Sequence, residues 1–360
     1  MVKLLNMNDD DDEVEKPSSA QIVASIDDLL IEIIHRLPLK PLVQLTLVSK
    51  TWNSLIFDQR LCSSLNRAVG LIFEDNPYLY LIFLDESTHL STRKINPFEE
   101  TWYRHCEIMH SCNGLLLCVN NKRYYNLSTE SICGMSLAFN PSKTPHYKVV
   151  CVLRSLRGLL HSFEVYSSET GSWRRGGELL KAYAHFDFQD GVYWNRAIHW
   201  VNIIVARPRE NNDIDPGHEP REPVYFSLDC NQTPKVFPKP PLRYKCYDKN
   251  DYYFGESCNH LHFVDADRET GEFNVYEMKR DYSEWFVKYK VNVPRAKFRD
   301  GEDWFMVVRG KNDEEWFLFF GIEKSHRIAW YNLDRNTCKT RRAYWAFKRP
   351  FQYTESHCSV

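Results

Sequence analysis

Residues 26–40 read IDDLLIEIIHRLPLK, and this stretch decides how the N-terminal part of the chain folds. Its apolar side chains recur at helical intervals and fill an arc of about 140°, with members Leu29, Leu30, Ile33, Ile34 and Leu37. Pro38 disfavours helical geometry in the residue before it. The pattern therefore predicts a helix from about Ser25 to Leu37.

A second short helix is predicted over the next stretch, where residues 42–56 read LVQLTLVSKTWNSLI. Leu42, Leu45, Val48 and Trp52 lie on one side of this helix, whereas Val43 and Leu47 point the other way. Two short helices cannot bury apolar surface on two sides by themselves. One face must therefore pack either against the rest of the chain or against another protein, and physical reasoning alone leaves both alternatives open.

The composition excludes several classes of function. The chain has 360 residues with 46 basic and 48 acidic side chains, which is long enough for a small and a large domain. This balance indicates neither a nucleic-acid footprint nor a membrane-binding surface. Residues 1–21 are acidic and lack periodicity, so we expect a solvated tail. With eleven scattered cysteines and no signal peptide or apolar run of membrane length, we expect a cytoplasmic and/or nuclear protein.

From residue 66 onward, short apolar runs alternate with turn signals, as is typical of an all-β domain. A motif in which the end of an apolar or aromatic strand is followed by a turn of small or acidic residues recurs at residues 166–173, 264–271 and 331–337. Loose repetition of this kind favours a radial array of small sheets, a β-propeller. At roughly 40 to 50 residues per blade, residues 66–360 would hold about six or seven degenerate blades.

Residues 22–65 resemble the plant F-box in two halves with matching order and spacing. The first half is the segment at residues 26–40, and the second is VSKTWNSLI at residues 48–56. One departure is at the start, where residues 24–26 read ASI instead of a Leu-Pro pair, so Ile26 supplies the apolar contact there. The remainder is similar to the F-box-associated domain, a propeller-like β structure, through SCNGLLLC at residues 111–118, FNP at 139–141, YFGES at 253–257 and HLH at 260–262.

This resemblance implies the substrate receptor of an SCF-type cullin–RING ubiquitin ligase. The F-box would bind a Skp-family adaptor, and through it the cullin and RING subunits, while the β domain would hold an unknown target protein. The resemblance assigns adaptor binding to apolar residues of both predicted helices, some of which also close the helical core: Ile26, Leu29, Leu30, Ile33, Leu37, Pro38, Leu42, Leu45, Val48 and Trp52.

We expect no catalytic, cofactor or metal site, because no nucleophile elbow, phosphate-binding loop or H-E-x-x-H motif occurs. His105, Cys106, His110 and Cys112 are the nearest approach to a zinc site, but no C-x-x-C spacing accompanies them. His260 and His262 share one strand face, where a ligand pocket or ordinary packing would both explain them. Two alternatives remain. One is a lectin-like propeller in which aromatics would stack on sugar rings rather than fill a core, including Trp173, Trp194, Trp200, Trp285 and Trp316. The other is an F-box scaffold acting outside the ligase.

Overall fold

The chain divides into two compact units, Met1–Leu65 and Asn66–Val360. This computed structural model describes residues 26–36, 68–75, 78–83, 91–95, 106–120, 130–141, 143–155, 160–177, 180–181, 186–203, 222–229, 233–243, 251–267, 270–293, 304–310, 315–322, 326–343 and 349–354. The predicted acidic tail, the predicted second helix and the adaptor-binding residues Leu37, Pro38, Leu42, Leu45, Val48 and Trp52 lie outside the described residues.

Helix α1, Asp27–Arg36, is the described part of the first unit. The carbonyl oxygen of Ile26 accepts hydrogen bonds from the backbone N–H groups of Leu29 and Leu30, both at 3.1 Å. Ile26 is therefore the residue at which the first helical turn closes. The helix predicted from the apolar pattern is confirmed over Asp27–Arg36, and its predicted last residue, Leu37, lies outside the described residues.

The second unit is built from short strands. In chain order they are β1 (Ala68–Asp75), β2 (Tyr78–Phe83), β3 (Ser91–Ile95), β4 (Cys106–Cys112), β5 (Leu115–Asn120), β6 (Glu130–Ala138), β7 (Lys148–Ser155), β8 (Leu160–Ser167), β9 (Ser172–Arg175), β10 (Leu180–Lys181), β11 (Val192–Trp194), β12 (Ala197–Trp200), β13 (Val224–Ser227), β14 (Pro234–Val236), β15 (Tyr252–Ser257), β16 (His260–Asp267), β17 (Glu272–Met278), β18 (Trp285–Asn292), β19 (Trp304–Arg309), β20 (Trp316–Ile322), β21 (Arg327–Asn332), β22 (Thr337–Arg342) and β23 (Phe351–Thr354).

These strands pair antiparallel into small sheets. Four sheets have four strands, in the orders β23-β1-β2-β3, β11-β12-β13-β14, β15-β16-β17-β18 and β19-β20-β21-β22. A fifth sheet follows the order β10-β8-β7-β6 with β9 also paired to β8, and β4 pairs with β5 alone among the described strands. The predicted large all-β, propeller-like domain is confirmed. The predicted number of six or seven blades stays a prediction, because residues 121–129 between β5 and β6 lie outside the described part.

The sheets are arranged in a ring around an axis. One end strand of each sheet contacts the corresponding strand of the next, in the order β23, β4, β6, β11, β15 and β19. The first and last sheets then meet through Phe73 on β1 and Trp304 on β19, whose ring centroids lie 5.6 Å apart. Strand β23 comes from the end of the described chain yet pairs with β1 from the start of the domain. This pairing joins the two ends of the domain within one sheet.

Aromatic side chains fill the space between neighbouring sheets. Phe163 on β8 stacks on Phe226 on β13 at 4.5 Å, and Phe273 on β17 meets Phe320 on β20 at 5.0 Å. All four rings are almost completely buried. Burial of one such side chain stabilises the fold by about 1.5–3 kcal/mol relative to an exposed one, so the high aromatic content is used mainly in packing sheet against sheet.

The repeated turns have a common geometry. Gly171 and Gly271 each stand directly before a strand, with φ of 63° and 79°, and their N–H groups bond the carbonyls of Ser167 and Asp267. Asn336 takes the same place before β22 with φ of 55°. Left-handed backbone geometry favours glycine and is tolerated by asparagine. The turn motif found in the sequence therefore corresponds to one recurring type of hairpin.

Removal of β23 is expected to destabilise the whole β domain. Phe351 and Tyr353 pack on Ile72, Leu79 and Leu81, so deletion of residues 351–360 should lower the free energy of unfolding by about 3 kcal/mol. Urea denaturation followed by tryptophan fluorescence measures this change. Deletion of residues 355–360 alone is the control, because it removes the same chain end and leaves β23 in place. Equal midpoints for the two deletions would contradict closure through β23.

Candidate functional site

Helix α1 carries a stripe of exposed apolar side chains. Ile26, Leu29 and Ile33 have exposed fractions of 42%, 45% and 43%, although each is a large hydrophobic residue. Their spacing of three and four positions places them on one side of the helix. Leu30 is only 3% exposed and is a core residue. We call Ile26, Leu29 and Ile33 the apolar stripe.

The structure thus separates four predicted adaptor-binding residues into two groups. Ile26, Leu29 and Ile33 present apolar surface to solvent, whereas Leu30 is buried. Sequence periodicity does not distinguish these groups, because Leu30 lies only about 100° around the helix from Leu29. Exposed apolar surface of this kind is a common feature of protein-interaction sites. The adaptor-binding role of all ten residues stays a prediction.

A pocket lies among the inner strands of the β domain, and we call it the axial pocket. It has a volume of about 260 Å³ and is lined by residues of β4, β11, β15, β19 and β23 and of the turns before β11 and β23. Side chains from five sheets of the ring therefore meet at one place. Pockets built from a few convergent polar groups on a rigid scaffold are the usual form of a binding site.

Hydrogen bonds tie the inner strands together beside this pocket. The hydroxyl of Ser111 on β4 donates to the carbonyl of Gln352 on β23 at 2.7 Å. The Gln352 amide in turn donates to Ser257 Oγ on β15 at 3.3 Å, and the same oxygen accepts from the backbone N–H of Arg309 at 3.0 Å. Four sheets are thereby connected through polar contacts, which holds the pocket walls in place.

Glu256 at the end of β15 is the most perturbed acid of the axial pocket. Burial raises the pKa of its carboxyl to about 7, and a hydrogen bond from the Asn259 backbone N–H only partly offsets this effect. Tyr253 stands nearby, and burial raises its pKa above the ordinary value. Arg349 lies over the Tyr253 ring at 5.0 Å from its centroid. A perturbed carboxyl in a cleft is a physical indication of a functional site.

His110 and Cys112, two members of the possible zinc group, face this region but are engaged by the backbone. His110 Nε2 donates to the Gly191 carbonyl at 2.5 Å, and His110 Nδ1 accepts from the Leu137 N–H at 3.3 Å. Cys112 Sγ lies 3.4 Å from the Phe139 carbonyl oxygen. Burial lowers the pKa of His110, which favours the neutral ring. Among the residues that the structure describes, no group of three or more side chains is arranged to hold a metal ion.

His260 and His262 are brought together by Glu277 on β17. Glu277 Oε1 lies 2.7 Å from His260 Nδ1, and Glu277 Oε2 lies 3.4 Å from His262 Nε2 and 2.5 Å from Lys288 Nζ. Burial alone would raise the pKa of Glu277, but hydrogen bonds from these three partners hold it well below its usual range. Burial lowers the pKa of His262 to about 4. The pair is therefore part of a packed ionic cluster that links three strands of one sheet.

The tryptophans considered for sugar stacking are mostly in the core. Trp194, Trp200 and Trp316 are 2%, 1% and 5% exposed, whereas Trp173 on β9 is 51% exposed. Trp173 lies against Tyr166 at 5.4 Å, at the edge of an apolar hollow of about 470 Å³ between β5 and β9. Rings that are buried between sheets are inaccessible to a sugar. Among these tryptophans, Trp173 therefore offers the main surface on which a sugar could stack.

Comparison with known proteins identifies the first unit. The model of the F-box domain family matches residues 27–64. F-box protein At5g07610 of Arabidopsis thaliana is 31% identical over 323 residues, which cover 77% of this chain and 72% of that protein. The chain belongs to the F-box protein family. No helix among the described residues is long and apolar enough to cross a membrane.

Solved structures resemble the chain only distantly. A chain of the nidogen/laminin complex has a TM-score of 0.31 and 10% identity, and the match covers 78% of this chain and 96% of that one. Oligogalacturonate lyase in complex with manganese has a TM-score of 0.35 and 8% identity, with 75% of this chain and 63% of that one covered. Both TM-scores lie below 0.5, so these likenesses carry no argument about function.

The raised pKa of Glu256 predicts a pH dependence of stability. Below pH 4.5 the carboxyl is protonated in the folded and unfolded chain, and its effect is neutral. Between pH 4.5 and pH 7 the unfolded chain ionises at this position while the folded chain keeps the proton, so the free energy of unfolding falls over this window by about 2 kcal/mol and stays at the lower value above pH 7. Glu256→Gln should therefore be more stable than the wild type at pH 8 and nearly equal to it at pH 4.

Urea denaturation at the two pH values measures this difference, with the exposed Glu169→Gln as the matched control. An equal pH dependence for the wild type and Glu256→Gln would refute the assignment.

Proposed function

We propose that this chain is the substrate-recognition subunit of an SCF-type cullin–RING ubiquitin ligase. Membership of the F-box family supports this role, because F-box domains generally bind Skp-type adaptors. The observation that carries the proposal is the apolar stripe at α1, which is exposed in the isolated chain and whose members Leu29 and Ile33 lie within the matched F-box residues. In the proposed complex the adaptor covers this stripe and connects the chain to the cullin and RING subunits.

The apolar stripe supplies the driving force for docking. Each of its three side chains leaves somewhat under half of its surface in contact with water. Covering a half-exposed Leu or Ile stabilises a complex by about 1 kcal/mol, taken as half of the value for complete burial. Leu29 and Ile33 together therefore contribute about 2 kcal/mol, which corresponds to a factor of about 30 in affinity. The remaining affinity is assigned to the predicted second helix, including Trp52, outside the described residues.

The β domain performs no bond chemistry in this proposal. Its contribution is to hold a target protein close to the charged ubiquitin-conjugating enzyme, which raises the effective concentration of target lysines beside the thioester. The ring of sheets suits this task, because its inner strands are joined by hydrogen bonds and packed aromatics into a rigid support. The target itself is unknown. We place the protein in the cytoplasm and/or nucleus, as expected for this role.

Substitution of the apolar stripe is expected to weaken adaptor binding without unfolding α1. The double variant Leu29→Ala, Ile33→Ala keeps helix-forming residues and should raise the Kd for a purified Skp-family adaptor about 30-fold. Surface plasmon resonance on the full chain measures the change. Trp52→Ala extends the test to the predicted second helix.

The matched control is Phe286→Ala, Val287→Ala on β18, which removes apolar side chains that are 38% and 44% exposed on the β domain. This control should bind the adaptor as the wild type does. A docking variant that binds as tightly as the control would count against the proposed role of α1.

Deletion of residues 22–65 should trap undegraded targets on the β domain. Proximity labelling in cells with this variant is expected to enrich a set of proteins whose lifetimes lengthen when the deletion replaces the full chain. The full chain under proteasome inhibition is the control and should label an overlapping set. Labelled proteins with unchanged lifetimes in both cases would argue for a scaffold outside the ligase, and selective labelling of glycoproteins would favour the lectin alternative.

A further inference from the structure

The axial pocket holds two ionisable side chains of opposite sign that form no ion pair with any residue that the structure describes. Glu256 and Arg349 both line it, and both are partly accessible to solvent. Within the described part of the chain, neither side chain forms an ion pair. The proposed function uses the β domain as a platform and leaves these two charges without a role.

The Glu256 end of the pocket is suited to a cation. The carboxylate accepts one hydrogen bond, from the Asn259 backbone N–H, and burial rather than a neighbouring charge dominates its ionisation. Tyr193 lines the same pocket. Burial raises the pKa of Tyr193 to about 12, and the negative charge of Glu256 adds to this effect. A carboxylate that is desolvated without a counter-charge costs free energy. A bound ammonium or guanidinium group would supply the missing charge.

The Arg349 end is suited to an anion. Its guanidinium lies 5.0 Å from the centroid of the Tyr253 ring, a contact that holds the planar group in one orientation. Arg349 directly precedes Pro350 and β23, so the closing strand of the ring positions its backbone. A guanidinium presents paired N–H donors that match the two oxygens of a carboxylate.

The size of the pocket limits what can enter it. Its volume of about 260 Å³ lies below the range of about 300–1,000 Å³ that holds drug-sized ligands. Phe254 and Phe351 line it as well, beside Tyr193 and Tyr253. A pocket of this size with aromatic walls accepts about one amino-acid residue rather than a folded surface.

We propose that the axial pocket binds an end group that carries a cation and a carboxylate together, with the cation on Glu256 and the carboxylate on Arg349. Two sources share this chemistry, a free basic amino acid and a protein chain that ends in a basic residue. In the second case the end group belongs to the target, and that part of the proposal rests on the proposed function.

Binding of the cation depends on the ionisation of Glu256 and therefore on pH. Besides Glu256, the titratable and charged groups that line this pocket are His110 and Cys112 on β4, Asp190 and Tyr193 at β11, Tyr253 on β15 and Arg349 before β23, whereas β19 contributes only Met306. Burial keeps His110 neutral and raises the pKa values of Cys112, Tyr193 and Tyr253. Glu256, with a pKa of about 7, is thus the group whose charge changes between pH 6 and pH 8.

Isothermal titration calorimetry on the full chain tests the proposal with three probes. These are free L-arginine, an N-acetylated tetrapeptide that ends in arginine with a free carboxylate, and the same peptide as its C-terminal amide. We expect at least one of the two carboxylate probes to bind about tenfold more tightly at pH 8 than at pH 6, because the ionised fraction of an acid with pKa 7 rises about tenfold. The amide should bind at least roughly tenfold more weakly than its parent peptide.

Charge-removing variants locate the site. Glu256→Gln and Arg349→Gln should each weaken binding at pH 8 by roughly tenfold or more, whereas the exposed controls Glu169→Gln and Arg341→Gln should leave it unchanged. Tight binding of free arginine would identify a small-molecule ligand, and binding of the peptide alone would identify a chain end. The pH profile of the wild type requires no variant and tests the Glu256 contact even if Glu256→Gln fails to fold.

Absence of binding by both carboxylate probes at pH 8 would overturn the proposal, as would binding that is insensitive to both pocket variants. Equal binding of the peptide and its amide would also overturn it. Adaptor affinity of the same variants separates this result from the proposed function. Pocket variants that keep adaptor binding but lose the probe support both proposals, whereas a chain that binds the probe and not the adaptor refutes only the ligase role.

Discussion

The pairing of β23 with β1 is the constraint on which the β domain depends. Ile72 lies opposite Phe351 and Leu71 opposite Gln352, so the last described strand completes the sheet that the first strand begins. Each sheet of the ring is too small to bury both of its faces alone, and the contacts from β19 back to β1 exist because this sheet is complete. The same strand brings Gln352 to Ser111 and Ser257 and places Arg349 at the pocket. The strand that closes the ring of sheets therefore also completes the wall of the axial pocket.

Much of the architecture could be predicted from apolar patterning. Strands β7, β19 and β20 are largely buried on both faces and read as nearly continuous apolar runs. The outer strands β9 and β22 carry no apolar pattern, because almost all their side chains are exposed, as is usual at sheet edges. Strand β23 is only four residues long, and its role comes from a partner at the other end of the domain. Pairing over that distance leaves no local signal.

The candidate sites show the same limit of sequence information. The helical pattern placed Leu29, Leu30 and Ile33 on one arc, but only packing distinguishes the buried Leu30 from its exposed neighbours. Glu256 gave one signal, because it is an acid that closely follows three aromatic residues in β15, but its sequence context indicates only a family motif and no pocket. Arg349 gave none, because it meets Tyr253 only after the ring has closed. Sites formed by strands of several sheets depend on topology, which composition and periodicity do not encode residue by residue.

The proposed role combines docking through α1 with target recognition through the β domain. Hydrogen–deuterium exchange tests the docking of α1 most directly. The full chain is compared alone and with a saturating Skp-family adaptor. We expect slower exchange of the amides in residues 27–36 and unchanged exchange in β15, β19 and β23, because in the proposed complex the adaptor covers the helix and does not contact these strands. Slower exchange in those strands with an unchanged helix would contradict the proposed docking.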